Sequence, residues 1–247
     1  MTMPTPLRQL RHVGLLLVIA FSGASLHAQH ATVSMRVVVS QPAEPGKKSM
    51  ASMKSTSIVA WLTPTGTTPM SERRAMPQQG YTLLQKDKQF TPHLLVVPTG
   101  SNVAFPNQDP FFHNVFSLFN GKRFDLGLYE AGSHRSVRFD REGVSYIFCN
   151  IHPEMGAVIV SLATPFYAVS GKDGTIMIAN VPAGPYDLKL WSENVSAEDL
   201  AAAQRHIKVT DTDEQLGTII LPGTTQSVLS HKNKFGEDYK SSADKPY

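Results

Sequence analysis

The stretch Phe148-Cys149-Asn150-Ile151-His152-Pro153-Glu154-Met155 carries three kinds of metal-binding atom in a Cys-x-x-His-x-x-Met pattern. Cys149 is the one cysteine of the 247-residue sequence, so an internal disulfide or a cluster of thiolates does not account for it. An apolar run ends at Cys149 and another begins at Ala157, which predicts two strands joined by a tight turn. The sequence therefore predicts a thiolate, an imidazole and a thioether at one strand-to-strand turn.

A second histidine lies 36 residues before the cysteine, in Phe111-Phe112-His113-Asn114-Val115. Any one of these side chains, taken alone, is more often a packed residue than a ligand. A soft thiolate, two imidazoles and a thioether together form the ligand set that accommodates both oxidation states of copper. We therefore expect a mononuclear copper site drawn from His113, Cys149, His152 and Met155.

Short strand-like runs continue on both sides of this region, and helical periodicity is nearly absent. The runs are punctuated by turn signals at the spacing of antiparallel sandwiches, and Lys172-Asp173-Gly174 is a hairpin signal because glycine accepts a positive φ. The single predicted helix is Ala197 to Arg205, with Ser196 as its N-cap. The predicted strands outside the central region are Met35–Val39, Ser57–Leu62, Phe166–Val169, Thr175–Ile178, Tyr186–Trp191, Ile207–Val209 and Leu216–Leu221.

The first 28 residues have the pattern of an export signal. Arg8 and Arg11 precede a short apolar run, and Leu26-His27-Ala28 offers a small-residue cleavage site. Removal of this segment leaves 21 basic against 20 acidic residues, a balance that argues against nucleic acid as a partner. No later run reaches the ~18 apolar residues of a membrane-spanning helix. The sequence thus predicts a periplasmic protein without a membrane span after cleavage.

The residues around the metal-binding pattern resemble the cupredoxin family, and within it the amicyanins, which share the Cys-x-x-His-x-x-Met spacing. The resemblance extends through Phe90-Thr91-Pro92 and Val103-Ala104-Phe105-Pro106-Asn107 to His113-Asn114-Val115. It implies a Greek-key β-sandwich with one type 1 copper. His113, Cys149 and His152 would be the equatorial ligands, Met155 the weak axial ligand, and Asn114 a supporting residue that ties the two ligand loops together.

The sequence after Pro165 resembles a carboxypeptidase regulatory-like domain, a smaller sandwich of the transthyretin type. The resemblance rests on Lys172-Asp173-Gly174-Thr175 and on Asn180 to Leu188. The first two strands resemble the opening strands of the same module, so we expect the cupredoxin to be inserted into it. The predicted organisation is all-β: signal peptide 1–28, N-terminal strands 29–78, cupredoxin 79–163, second sandwich 164–222 and polar tail 223–247.

The resemblance implies one-electron transfer with transient redox partners of the cytochrome or periplasmic dehydrogenase type. An enzyme is not expected, because four protein ligands leave no open position for a substrate. One alternative is copper storage or delivery, favoured by methionines in the predicted linkers at Met50, Met53, Met70 and Met76. The other is a non-catalytic recognition module whose second sandwich carries the function.

Overall fold

The computed structural model describes residues 30–40, 57–66, 80–118, 121–224 and 231–239. The predicted signal peptide and the four linker methionines lie outside these residues. Nearly all the secondary structure is β-sheet, which confirms the predicted fold class. The elements are β1 His30–Ser40, β2 Ile58–Pro64, β3 Tyr81–Thr82, β4 Leu84–Lys86, β5 Gln89–Thr91, β6 Leu94–Pro98, β7 Ser101–Pro106, β8 His113–Ser117, β9 Phe124–Tyr129, β10 His134–Phe139, β11 Gly143–Cys149, β12 Gly156–Leu162, β13 Tyr167–Val169, β14 Thr175–Pro182, β15 Gly184–Ser192, α1 Ala197–Ala202, β16 Arg205–Val209 and β17 Glu214–Pro222.

The first sandwich is formed by strands between Tyr81 and Leu162. A five-stranded sheet with the order β6-β12-β11-β8-β9 faces a three-stranded sheet with the order β10-β7-β3. Alternate residues of these strands point inward, as the two-residue period of a strand requires. The core between the two sheets includes Val97, Val103, Phe105, Val115, Ile147, Cys149 and Ile159, all fully buried.

The second sandwich combines strands that precede the first sandwich in sequence with strands that follow it. The strands β1 and β2, which precede the first sandwich in sequence, lie in the sheets β14-β1-β17 and β13-β2-β15-β16. The core between these sheets includes Val33, Ile58, Ala60, Leu62, Ile176, Tyr186 and Leu188. The stretch of chain that forms the first sandwich is therefore inserted between β2 and β13 of the second. The exact domain boundaries and the transthyretin type of this sandwich stay predictions.

The two sandwiches pack face to face through a third apolar layer. Along β2, Ile58, Ala60 and Leu62 point into the second sandwich, whereas Val59 and Trp61 point to the five-stranded sheet of the first. There they meet alternate residues of β12, such as Val158 and Val160. Strands buried on both faces lack a polar side, which explains the continuous apolar runs Ile58-Val59-Ala60-Trp61-Leu62 and Ala157-Val158-Ile159-Val160. The result is a stack of four sheets.

The helix is shorter than the sequence predicted. Ser196 is the N-cap, and its hydroxyl accepts a hydrogen bond from the Asp199 amide at 3.0 Å. The helix ends at Ala202 instead of Arg205. Arg205 begins β16, which pairs with β15 through Leu188, so the pairing of the sheet prevails over local helix propensity. Among the described residues no helix is long and apolar enough to cross a membrane.

The polar stretch after Pro222 includes a packed segment. We call residues 231–239 the C-terminal strap. The ring of His231 stacks on that of Phe148, with centroids 3.6 Å apart and planes inclined by 15°. The sequence analysis had treated this stretch as a tail because it is polar and lacks periodicity. Its packing depends on partners about 80 residues away along the chain, which local patterns do not reveal.

Candidate metal centre

Two strand ends and one turn bring His113, Cys149 and His152 together. His113 is the first residue of β8 and Cys149 the last residue of β11. These strands are antiparallel neighbours, with Cys149 opposite Val115, so the end of one lies beside the start of the other. His152 lies in the turn that leads from β11 to β12. The turn is closed by a hydrogen bond from the Met155 amide to the His152 carbonyl at 3.1 Å.

The three potential ligand atoms form a small triangle. The sulfur of Cys149 lies 3.6 Å from Nδ1 of His113 and 3.6 Å from Nδ1 of His152, and the two nitrogens are 3.2 Å apart. A point equally distant from the three atoms would lie about 2.0 Å from each of them. This distance is close to the ~2.0–2.3 Å of metal–nitrogen and metal–sulfur bonds. A transition-metal ion therefore fits between these atoms without movement of the backbone.

The group is shielded from water. His113 and Cys149 are fully buried, and His152 is 8% exposed. The ring of Phe111 packs against both imidazoles, at centroid distances of 5.3 Å from His113 and 5.4 Å from His152. His152 is the member of the group that lies nearest to solvent.

The distal nitrogen of His113 is held by a carboxylate. Nε2 of His113 lies 2.8 Å from Oδ2 of Asp109, which is itself buried. The backbone amides of Asp87 and Lys88 donate to the same carboxylate at 2.6 and 3.0 Å. Both residues have a positive φ and form the two-residue turn between β4 and β5. An ionised carboxylate in this place favours the His113 tautomer with its proton on Nε2, which leaves Nδ1 free to bind a metal.

The charges of Asp109 and His113 follow from this arrangement. Burial acts to raise the pKa of Asp109, but hydrogen bonds from His113, Lys88 and Asp87 outweigh it and hold the pKa below its ordinary value. Burial lowers the pKa of His113, against the opposing effect of Asp109. The imidazole is therefore kept neutral, which is the form that binds metal ions.

The surroundings of Cys149 have opposing effects on the pKa of its thiol. Burial raises the pKa of the Cys149 thiol, whereas hydrogen bonds from the backbone amides of Asn114, Ile151 and His152 act to lower it. A metal ion between the three ligand atoms would replace the thiol proton and neutralise the thiolate. Because burial is the largest of these influences, the pKa of the thiol lies above its ordinary value, and a bound cation is needed to hold the sulfur as a thiolate.

Asn114 joins the two ligand loops through its backbone. Its carbonyl accepts a hydrogen bond from the Asn150 amide at 2.9 Å. Its side chain turns away from the ligand turn and donates to Oδ1 of Asp125, on β9, at 2.6 Å. The link between the loops that the sequence analysis expected at Asn114 is therefore made by the main chain.

Met155 is fully buried and packs in the same core as Cys149. Its carbonyl accepts a hydrogen bond from the Cys149 amide at 3.3 Å, which fixes the start and the end of the turn to one another. Glu154, beside it, is exposed, and its charge acts to raise the pKa of Cys149. The role of Met155 as a fourth ligand stays a prediction.

The sequence analysis missed Asp109. The signal was present as an acidic residue four positions before His113, followed by Pro110. In a loop, a spacing of four residues does not predict a contact. The contact exists because the loop folds back and brings the Asp109 carboxylate to the His113 ring.

No family model matches the chain, and no curated protein does either. Solved structures share parts of it at low similarity. A copper-containing nitrite reductase from Thermus scotoductus is 22% identical with a TM-score of 0.33, over 35% of this chain and 23% of that protein. A purple cupredoxin from Nitrosopumilus maritimus is 23% identical with a TM-score of 0.30, over 33% of this chain and 99% of that one. Amicyanin from Paracoccus versutus is 17% identical with a TM-score of 0.32, over 41% and 97% respectively.

Proposed function

We propose that this protein binds one copper ion and carries single electrons between redox partners. His113, Cys149 and His152 hold the ion, and Met155 is a weaker fourth ligand. The observation that carries this proposal is the triangle of two Nδ1 atoms and one sulfur, with sides of 3.6, 3.6 and 3.2 Å. A trigonal set of two histidines and a cysteine with a nearby methionine is the donor set of electron-transfer copper sites.

The surroundings of the triangle resist rearrangement. His113 and Cys149 lie on neighbouring strands of the five-stranded sheet, and Cys149 belongs to the core of the first sandwich. The side chain of Phe111 lies against both imidazoles. When bound, copper supplies the one-electron couple, and the protein holds the same three donors in both oxidation states. Little reorganisation then accompanies each transfer.

The end of the sandwich near His152 suits brief docking. Phe112 is 55% exposed and Leu128, opposite Asn114 on the neighbouring strand, is 62% exposed. Pro153, next to His152, is also exposed. An apolar surface of this kind, around the most accessible ligand, fits a small and short-lived interface with a redox protein. We place such an encounter in the periplasm on the strength of the predicted export signal, with a cytochrome or a dehydrogenase as the kind of partner.

The first experiment is the visible and electron paramagnetic resonance spectrum of the purified chain after addition of Cu(II). We expect an intense band at ~600 nm, as the copper–thiolate bond of a blue site requires. The variant Cys149→Ser should lose the band, because no other thiol is present. The variant His206→Ala, which changes an exposed histidine of the second sandwich, should keep it. A colourless copper-loaded protein, or a band that survives in Cys149→Ser, would refute the proposed site.

Cyclic reduction and oxidation separates electron transfer from copper storage or delivery. A carrier should pass repeatedly between the oxidised and reduced forms while the copper content, measured by mass spectrometry, stays constant. Loss of copper upon each reduction would favour delivery over electron transfer.

A further inference from the structure

The C-terminal strap, residues 231–239, has a defined shape of its own. The side-chain oxygen of Asn233 accepts hydrogen bonds from the amides of Phe235 and Glu237 at 2.9 and 3.0 Å. The Asn233 amide donates to the Glu237 carbonyl at 2.8 Å, and Gly236 closes the turn with a positive φ of 82°. The tip of the strap is Phe235, which is 72% exposed. The strap is therefore a closed loop whose two ends rest on the first sandwich.

The first end of the strap covers two phenylalanines that belong to the ligand strands β11 and β8. Phe148 and Phe116 face one another across β11 and β8 and point away from the core that contains Cys149 and Val115. Both are 1% exposed. His231 stacks on Phe148 at 3.6 Å and lies 6.4 Å from the ring of Phe116. The strap thus covers the part of this sheet face that carries the last residues before the ligand turn.

The other contacts of the strap reach both ligand loops. The hydroxyl of Tyr239 donates to the carbonyl of Cys149 at 2.9 Å and contacts Nε2 of His231 at 2.8 Å. The Lys234 amide donates to Oδ1 of Asn150 at 2.9 Å. The Lys234 ammonium lies 2.6 Å from Oδ2 of Asp125. The other oxygen of Asp125 accepts from Asn114, the residue that follows His113.

We propose that the C-terminal strap is part of the metal centre, in which Tyr239 acts as a positioning residue for Cys149 and the strap controls how readily the ion leaves. This inference rests on the proposed copper site. The geometry supports it because the strap joins the Cys149 and His113 loops at a distance from the ion, without supplying a ligand. A carbonyl held by Tyr239 fixes the peptide plane that follows Cys149, and with it the amides of the turn that surround the sulfur.

The test compares Tyr239→Phe with the full-length parent chain. The substitution keeps the ring and removes the hydroxyl that bonds to Cys149. In the apo protein, amide hydrogen exchange of the turn from Asn150 to Met155 should become roughly 2- to 10-fold faster, the effect of one hydrogen bond. In the copper-loaded protein, the paramagnetic resonance splitting should change and copper should pass to an excess of chelator faster by a similar factor.

Two further variants make the result specific to the strap contacts. His231→Leu removes the hydrogen bond to Tyr239 and the planar ring on Phe148, and it should change exchange and copper release in the same direction. Lys232→Ala alters an exposed side chain of the same strap and should match the parent in all three measurements. This variant controls for a nonspecific effect of substitution in the segment.

The outcomes separate this inference from the proposed function. If the parent shows the blue site and Tyr239→Phe has an unchanged spectrum, exchange and release rate, the strap proposal is refuted and the copper site stands. If the parent binds no copper, both proposals fall together, whatever the strap does to amide exchange.

Discussion

At the scale of single residues, Asp109 accepts three hydrogen bonds, and no neutral side chain of the same size could accept all three. Its carboxylate accepts hydrogen bonds from His113 and from the amides of Asp87 and Lys88. An asparagine in its place has one oxygen and a donating amino group, so at least one of three donors would face another donor. The negative charge beside the distal nitrogen also makes the imidazole a more basic ligand.

We therefore expect Asp109→Asn to weaken copper binding by about 10- to 100-fold, the usual effect of losing such a partner. The reduction potential should rise, because a less basic ligand without a nearby anion destabilises Cu(II) more than Cu(I). Competition titration and protein-film voltammetry measure the two quantities. The control is Asp140→Asn, which removes an exposed carboxylate paired with Lys122 in the same sandwich. Equal affinities and potentials in the two variants would show that Asp109 does not act on the site.

The sequence was enough to single out His113, Cys149 and His152, whose potential ligand atoms the structure brings together, because a cysteine and two histidines with a methionine nearby carry their own chemistry. The place of Met155 in this set stays a prediction. His113 was found through its neighbours, and the structure places its Nδ1 3.6 Å from the sulfur of Cys149. Asp109 and Tyr239 were missed because neither forms a pattern with residues nearby in sequence. Their partners are defined by how a loop and the C-terminal strap fold back.

At the scale of elements, the turn that joins β13 and β14, which lie in different sheets, depends on Gly174. Its φ is +82°, and a Cβ atom built on it would lie 2.2 Å from the carbonyl oxygen of Val37 on β1. The amide of Val37 donates to the carbonyl of Gly174 at 2.9 Å. The turn is thus pressed against β1, the partner strand of β14. The sequence signal Lys172-Asp173-Gly174 correctly predicted a turn, but the hairpin was wrong, because β13 and β14 pair with strands of two different sheets.

We expect Gly174→Ala to lower the free energy of unfolding by more than ~1 kcal/mol, because backbone strain and a steric clash with the main chain add together. Gly217→Ala is the matched control: its φ is +69°, but nothing lies within 4 Å of the added Cβ. It should show the strain alone. Urea denaturation followed by circular dichroism measures both, and equal losses of stability would contradict the clash.

Strand prediction succeeded where one face of the strand is polar or where the apolar run is long. The run Ser57 to Leu62 was recognised as a strand, and β2 begins at Ile58. The alternation of its side chains between two different cores was not visible, because Val59 and Ala60 are both apolar. The helix was predicted too long since Ala203 and Arg205 suit a helix locally, whereas the pairing of Arg205 with Leu188 belongs to the sheet.

At the scale of the whole molecule, the two sandwiches are joined by the third apolar layer and, among the described residues, by an ion pair between His93 and Glu193. Both tryptophans of the chain, Trp61 and Trp191, lie in that layer. Nearby, Nε2 of His93 lies 2.7 Å from Glu193, and its Nδ1 lies 3.2 Å from the Gly156 carbonyl. His93 belongs to the first sandwich, between β5 and β6, and Glu193 directly follows β15 of the second. Sequence patterns give no information on such a contact, because each partner is an ordinary polar residue of its own loop.

This ion pair predicts a pH dependence of stability. The hydrogen bond that His93 donates to Glu193 is the largest cause that raises the pKa of His93 above its ordinary value, with burial acting against it. A raised pKa means that the folded state favours the protonated histidine. The pair therefore stabilises fully below the unfolded value of about 6.5, and its contribution declines as the pH rises through the folded pKa.

We expect the difference in urea midpoint between the parent and His93→Gln to be larger at pH 5.5 than at pH 8.5. Tryptophan fluorescence is the measurement of choice, because both tryptophans report on the layer between the sandwiches. Half of the His93 side chain is exposed, so solvent screening keeps the difference small. Glu193→Gln should remove the same pH-dependent part, and the double variant should lose no more than either single variant. A difference that is constant with pH, or one that grows towards pH 8.5, would show that the His93–Glu193 pair does not stabilise the folded state.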